Sequence, residues 1–289
     1  MEFGKVVNPE QLDFTLPPDH PETQRILETG KKPLEVYIGC AKFNKKDLKG
    51  FYPKEVKVKD ELSYYSAQFN AIEYNATFRT FVTKLPLEGW RDKTGPGFRF
   101  FPKMSNRVSH YRLLHNVKEI TEEYCERIKA FEEKLGITFL QMKESFSSKH
   151  LERVATFLAD WPKDTQLAFE VRNEDWFNNE ASEEYFNLLE QYKVTNIIVD
   201  TAGRRDMLHM RLTTPIAFIR WVGANHSSDR QRLDDWVVRL KAWKDQGLEQ
   251  VCFFVHQNVE LESPLLSVYF IDKLNDALSL KLHVPKVLS

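Results

Sequence analysis

Glu170-Val171-Arg172 is the segment where the sequence most clearly places reactive side chains at the end of an apolar run. Side chains alternate between the two faces of a strand, so we expect Glu170 and Arg172 on one face and Val171 on the other. A carboxylate and a guanidinium at the end of a buried strand cost free energy unless they are paired or serve a ligand. The segment therefore predicts part of a functional site.

Other apolar runs also end in polar residues. Glu73, Glu170 and Asp200 are the candidate catalytic residues, because carboxyl groups can transfer protons or orient a partner. The candidate substrate-binding residues are the amides, cations and imidazoles of the set, namely Asn75, Lys103, His110, Gln141, Arg172, Arg220, His256 and Asn258. Bringing so many charges together would carry a large desolvation penalty without a ligand. For any one of these residues, ion pairing that only stabilises the fold is the alternative.

The residue types indicate an anion site and leave open whether a metal ion also binds. A guanidinium matches two oxygens of a phosphate or carboxylate, so Arg172 with Arg220 or Lys103 would bind an anion. Ligand types that suit manganese or magnesium are supplied by Glu73, Glu170, Asp200 and His256. No His-x-His or His-Glu-x-x-His spacing supports a divalent metal. The cofactor therefore stays unknown.

These side chains need elements that carry them to one place. The predicted strands are the short apolar runs 34–40, 71–75, 98–103, 138–142, 166–171, 196–200, 217–221 and 250–256. Longer segments between them, such as 117–135, 229–247 and 265–280, repeat apolar residues at helical spacing. Alternating strands and helices predict a parallel sheet. Eight repeats favour the α/β class and a single (β/α)8 TIM barrel, whose site lies at the carboxyl ends of the strands.

The expected domains are an N-terminal arm, 1–34, and a TIM-barrel domain, 35–289. The arm is polar and proline-rich, with one short predicted helix at 22–29. No Gly-x-Gly-x-x-Gly motif follows the first strand, so a nucleotide-binding fold has no support.

Composition and net charge indicate which classes of partner the sequence supports. The formal net charge is −1, which gives no special support to a nucleic-acid partner without excluding one. Three widely spaced cysteines argue against a disulfide framework. No run approaches about 18 apolar residues, so we expect no membrane partner and a cytoplasmic location. The oligomeric state and the role of the arm are open.

Several motifs follow one another between Val36 and Asn258. They are Ile38-Gly39 with Gly50-Phe51-Tyr52-Pro53, then Phe69-Asn70-Ala71-Ile72-Glu73-Tyr74-Asn75-Ala76-Thr77-Phe78, Phe98-Arg99-Phe100 through Lys103 to His110, Phe169-Glu170-Val171-Arg172 with Trp176-Phe177, Asp200-Thr201 and Arg220. In this order they resemble the YecE-like family, which is defined by domain of unknown function 72. The resemblance implies a TIM barrel and supplies no reaction. The chain departs from the family pattern at Phe43 (usually Trp), at Met142-Lys143-Glu144 (usually Leu-Pro-Pro) and at His256-Gln257.

Three functions remain open. The first is a hydrolase-like enzyme for an anionic substrate such as a phosphoester in a small molecule or a nucleic acid, with Glu73 and Glu170 as acid/base groups and Asp200 orienting a partner or a metal. The second is a ligand-binding or regulatory barrel without chemistry. The third is a glycoside hydrolase, which needs two carboxyl groups about 5–10 Å apart.

Overall fold

The computed structural model describes residues 5–48, 50–80, 82–177 and 179–287. Its strands are β1 (Glu35–Cys40), β2 (Ala71–Tyr74), β3 (Arg99–Pro102), β4 (Thr138–Gln141), β5 (Leu167–Glu170), β6 (Thr195–Thr201), β7 (Ile216–Val222) and β8 (Gln250–His256). All eight predicted strands are present, with boundaries that differ from the predicted ones by at most one residue at either end.

Helices connect the strands. They are α1 (Pro21–Leu27), α2 (Glu61–Gln68), α3 (Ala76–Arg79), α4 (Lys84–Asp92), α5 (Lys118–Ile128), α6 (Leu151–Asp160), α7 (Asn179–Gln191), α8 (Ser228–Asp245) and α9 (Ser263–Leu278). The predicted helix 117–135 is shorter than expected, because α5 is followed by a 3-10 turn, Lys129–Lys134, in which Glu132 has a φ of 50°. Within the described ranges, no helix is both long and apolar enough to cross a membrane.

The strands are all parallel, but they do not form the closed eight-stranded barrel that the sequence predicts. Six of them form one sheet in the order β1-β8-β7-β6-β5-β4, and β2 pairs with β3 in a separate two-stranded sheet. The prediction of a closed (β/α)8 barrel is therefore wrong. The architecture is an α/β fold with a six-stranded parallel half-barrel and helices around it.

Side chains interrupt the backbone pairing between β1 and β2. The Asn70 amide accepts a hydrogen bond from Ile38 N at 2.9 Å and donates one to Val36 O at 2.7 Å. The Tyr65 hydroxyl accepts from Cys40 N at 2.7 Å. These side chains satisfy the β1 backbone groups that a ladder to β2 would otherwise pair.

Between β3 and β4 the backbone pairing is also incomplete. The described residues show two isolated bridges there, Phe100 with Leu135 and Lys103 with Phe139. The two gaps thus lie on either side of the β2–β3 pair, which contacts β1 through side chains and the β4 segment through backbone hydrogen bonds from Gly136 N to Phe100 O and from Met104 N to Phe139 O, both of 2.8 Å.

Side chains on the strands form two apolar layers. The inner layer contains Ala71, Phe101, Phe139, Ala168, Val199, Phe218 and Phe254. The alternate residues of the strands pack outward with the helices, as Ile219 and Phe253 do with Trp236 of α8. The inner layer is the floor beneath the carboxyl ends of the strands.

The first described residues pack against the β6–β7 connection and α8. Thr23 Oγ1 donates to Met210 O at 2.6 Å and accepts from Leu212 N at 3.1 Å. Asp19 accepts hydrogen bonds from Arg239 and, at 3.1 Å, from Trp243 Nε1.

Candidate functional site

Strand alternation brings most of the predicted site residues to one place. In six strands a residue of the inner apolar layer is followed, two positions later, by a polar residue at the carboxyl end. These polar residues are Glu73, Lys103, Gln141, Glu170, Arg220 and His256. The structure therefore gathers them above the floor of the inner layer.

Arg220 lies at the centre of this cluster. Its Nε and Nη2 donate to the two carboxylate oxygens of Glu73 at 2.8 and 3.0 Å. Its Nη1 donates to Glu170 Oε2 at 2.7 Å and is 3.4 Å from Gln141 Oε1. The remaining oxygen of Glu170 accepts from Arg172 Nε at 2.5 Å. One guanidinium thus joins two buried carboxylates.

The two carboxylates are held in the ionised form. Burial alone would raise the pKa of Glu73, but Arg220 and His256 keep it well below its usual range. Burial is likewise outweighed at Glu170, where Arg172 and Arg220 lower the pKa. A carboxyl group with a lowered pKa is a poor proton donor at neutral pH.

Lys103 has different surroundings. Its ammonium donates to Gln141 Oε1 at 2.9 Å and lies 4.3 Å from the centre of the Phe78 ring. Among the residues that the structure describes, it makes no ion pair with a carboxylate. Burial, followed by the neighbouring charge of Arg220, lowers the pKa of Lys103 to about 8.

His256 and Asn75 complete the surroundings of Glu73. The His256 Nε2–H donates to Glu73 Oε2 at 2.9 Å, and Asn75 Nδ2 donates to Glu73 Oε1 at 3.1 Å. A carboxylate that holds one ring nitrogen of a histidine fixes its tautomer and leaves the other nitrogen to accept a proton.

The predicted residue His110 lies at the edge of the cluster. It follows β3 in a π-helical turn, Arg107–Tyr111, and the centroid of its ring lies 4.9 Å from that of the Phe78 ring. Burial, then the charges of Lys103 and Arg172, lowers the pKa of His110 to about 4, so the imidazole is neutral at pH 7. Asn258, also predicted, lies two residues beyond β8 and is partly buried.

A cleft of about 620 Å³ opens at the carboxyl ends of the strands. Five predicted residues line it, namely Glu73, Asn75, Lys103, Arg220 and His256. Sequence reasoning missed Phe78, Arg79 and Glu260, which also line it together with Lys42. Phe78 is the last residue of the motif that contains Glu73 and Arg79 follows it, and this position was the available signal. Lys42 pairs with Asp47 at 3.4 Å.

Asp200 does not join the cluster. It is out of phase with the inner residue Val199 of β6 and therefore faces the helices, where Arg232 Nη2 and Trp236 Nε1 each donate to it at 2.8 Å. Arg205 pairs with it as well. The expectation that three carboxylates meet at one place is wrong for this residue, and alternation puts Thr201 on the inner face instead.

The four residues considered as metal ligands consequently do not meet, because Asp200 of β6 faces α8 whereas Glu73, Glu170 and His256 lie at the inner face of their strands. In the described part of the chain, no group of three or more His, Cys, Asp or Glu side chains is arranged to hold a metal ion.

The chain is similar to known proteins. The family model described as "Protein of unknown function DUF72" matches residues 37–287. The protein YecE of Escherichia coli, described as a UPF0759 protein, is 25% identical over 229 residues, which is 72% of this chain and 82% of YecE.

Two solved structures share the fold. A DUF72 family protein from Thermotoga maritima superposes with a TM-score of 0.68 at 24% identity, covering 83% of this chain and 99% of that one. One from Enterococcus faecalis has a TM-score of 0.66 at 15% identity, with 85% and 98% covered.

Proposed function

The chain belongs to DUF72, a family of unknown function, and on this premise we propose that it is an enzyme that binds a small anionic substrate in the cleft and moves protons there. The anion is a carboxylate or a phosphate. Hydrolysis of an ester or phosphoester is the first reaction to test, because a base beside a bound substrate can activate water.

The Lys103 ammonium is the observation that carries this proposal. Lys103 and Arg220 are buried, Arg172 is partly buried, and these three cations lie near the two buried carboxylates of Glu73 and Glu170. Both carboxylates are bound to arginines, whereas Lys103 contacts a neutral amide and an aromatic ring. A buried excess cation is costly without a counter-charge. An anion bound in the cleft would supply it.

His256 is the proposed base. Glu73 holds its Nε2–H, which leaves Nδ1 to take a proton from water or substrate. Lys103 is the proposed proton donor, since a group with a pKa of about 8 is mostly protonated at pH 7 and can still release its proton. Glu73 and Glu170 then act as ionised positioning groups.

The alternative functions have weaker support. A glycoside hydrolase needs one carboxyl group that keeps its proton, and the pKa values of both Glu73 and Glu170 are lowered. A non-catalytic binding barrel would use the same anion site without turnover, so it is separated from the enzyme by experiment.

The binding test uses isothermal titration with inorganic phosphate and with acetate. Lys103→Met is expected to weaken anion affinity at least about tenfold, because a hydrogen bond to a charged group contributes about 1.5–3 kcal/mol. The matched control is Lys59→Met, at an exposed lysine outside the cleft. Equal affinity in both variants would contradict the proposal.

The turnover test uses a panel of phosphomonoesters, phosphodiesters and carboxylic esters with product detection. His256→Gln is expected to abolish turnover and to retain anion binding. Anion binding without any product across the panel would favour the non-catalytic barrel.

A further inference from the structure

We infer that Lys103 forms an imine with the carbonyl group of a small 2-oxo acid in the cleft, and that Gln141 is the positioning residue that keeps its amine available. The inference rests on the proposed anion site and adds a covalent step to it. The chemical class of ligand is a short 2-oxo acid, because it carries a carboxylate beside an electrophilic carbonyl carbon.

The placement of Lys103 is the first support. It follows β3 at the carboxyl end, lines the cleft and has only 9% of its surface exposed. The Phe78 ring on one side excludes water from the amine. Lysines act as nucleophiles where they are desolvated or lie next to another cation, and Lys103 meets both conditions.

Gln141 is the second support. Its Oε1 accepts from Lys103 Nζ at 2.9 Å and lies 3.4 Å from Arg220 Nη1, so a neutral acceptor stands between two cations. A carboxylate in this position would pair with Lys103 and favour its charged form. An amide orients the amine without neutralising the local positive potential.

Several charged groups face Lys103 from neighbouring elements. Arg220 of β7 and Arg172, after β5, favour the neutral amine, whereas Glu73 of β2 and Glu170 of β5 favour the ammonium. His110, in the turn after β3, is neutral at pH 7. Burial is the largest influence and lowers the pKa of Lys103 to about 8. A useful fraction of neutral amine is therefore present near pH 8.

The step is balanced without an oxidant or reductant. The Lys103 nitrogen lone pair attacks the carbonyl carbon, the C=O electron pair moves to oxygen, and one proton passes from the nitrogen to this oxygen to give a carbinolamine. The nitrogen lone pair then forms C=N as the hydroxyl takes up a proton and leaves as water, and the nitrogen releases its second proton. Amine and carbonyl thus give imine and water. Arg79 is exposed and lines the same cleft, so it is placed to bind the carboxylate of the 2-oxo acid.

The test traps the imine. The full chain is incubated with pyruvate and sodium cyanoborohydride at pH 8, digested and mapped by mass spectrometry. We expect one reduced pyruvate adduct, at Lys103, in wild type and in Lys59→Arg, and loss of that adduct in Lys103→Arg. Circular dichroism confirms that each variant is folded.

A second variant retains the lysine. Gln141→Glu is expected to shift the pH profile of trapping at Lys103 upward, since each unit of raised pKa lowers the neutral amine about tenfold at pH values below the pKa. A purely structural role for Gln141 would leave that profile in place.

The outcomes separate the two proposals. Adducts spread over surface lysines, with none concentrated at Lys103, would overturn the imine. Pyruvate that raises the melting temperature through Lys103 but gives no adduct there would also overturn the imine and leave the anion site standing. Failure of every anion to bind would remove both.

Discussion

Arg220 of β7 and Glu73 of β2 are joined by two hydrogen bonds, of 2.8 and 3.0 Å, that run between the six-stranded sheet and the two-stranded sheet. Backbone pairing does not connect these strands. The ion pair therefore holds the Glu73 carboxylate within hydrogen-bond distance of His256 and also helps to hold the β2–β3 pair against the rest of the fold.

Replacing Arg220 is expected to destabilise the fold strongly. Arg220→Met would leave Glu73 and Glu170 buried beside one fewer cation, and breaking a buried ion pair in this way costs about 3–5 kcal/mol. Urea denaturation measures the change in the free energy of unfolding. The matched control is Arg25→Met, because Arg25 is half-exposed and exposed ion pairs contribute little. Similar losses in both variants would contradict the central role of Arg220.

Asp200 is expected to stabilise the fold without affecting ligand binding. Asp200→Asn removes the charge that faces Arg232 and Arg205 between β6 and α8, and we expect a loss of about 3–5 kcal/mol for a broken buried pair. Affinity for inorganic phosphate should stay within about twofold of wild type. If affinity fell while stability did not, Asp200 would belong to the anion site after all.

Acid is expected to destabilise the protein partly through His209. Its ring packs on those of Phe177 and Phe186, and burial, then the charges of His20 and Arg211, lowers its pKa to about 3. An unfolded histidine has a pKa of about 6.5. Between these values the unfolded chain binds a proton that the folded chain does not, so stability falls as the pH decreases from about 6.5 to about 3.

His209→Gln should therefore flatten the dependence of the melting temperature on pH between about 6.5 and 5.5, above the range where unfolded carboxylates mainly titrate. His115→Gln is the control, because His115 is exposed. An unchanged slope in His209→Gln would contradict this assignment. The lowered pKa values of Glu73 and Glu170 add a further loss at lower pH, below the values for unfolded carboxyl groups.

The cluster of polar residues at the strand ends could be predicted largely from sequence because alternation is a local rule. Polar residues at the ends of apolar runs identified Glu73, Lys103, Gln141, Glu170, Arg220 and His256, and the structure brings these together. The same reasoning was wrong for Asp200, because β6 continues one residue further, to Thr201. The hydrogen-bond partners of Asp200, Arg232 and Trp236, lie more than thirty positions away in the chain. A pattern within one strand cannot reveal such partners.

Strand positions were also predictable, but their closure into a barrel was not. The runs are apolar and separated by amphipathic helices, and these features determine where strands form. Whether neighbouring strands pair depends on which groups satisfy their backbone, and Asn70 and Tyr65 take over that role beside β1. Nothing in the sequence pattern distinguishes these two side chains from ordinary loop and helix residues.

The contact between β1 and β2 gives a last prediction. A Cβ at Gly39 would lie 2.0 Å from Ala71 O, so Gly39→Ala must push the two strands apart. Overpacking of this kind costs about 1–3 kcal/mol. Because residues of both strand ends line the cleft, affinity for phosphate should fall together with stability.

Gly89→Ala is the matched control for this substitution. Gly89 lies in α4, where an added Cβ meets open space, and replacing a helical glycine by alanine stabilises a protein by about 0.4–1 kcal/mol. Chemical denaturation and phosphate titration of the two variants provide the comparison. If Gly39→Ala were as stable as Gly89→Ala, the side-chain-mediated approach of β1 to β2 would be wrong, and with it the shape of the cleft between them.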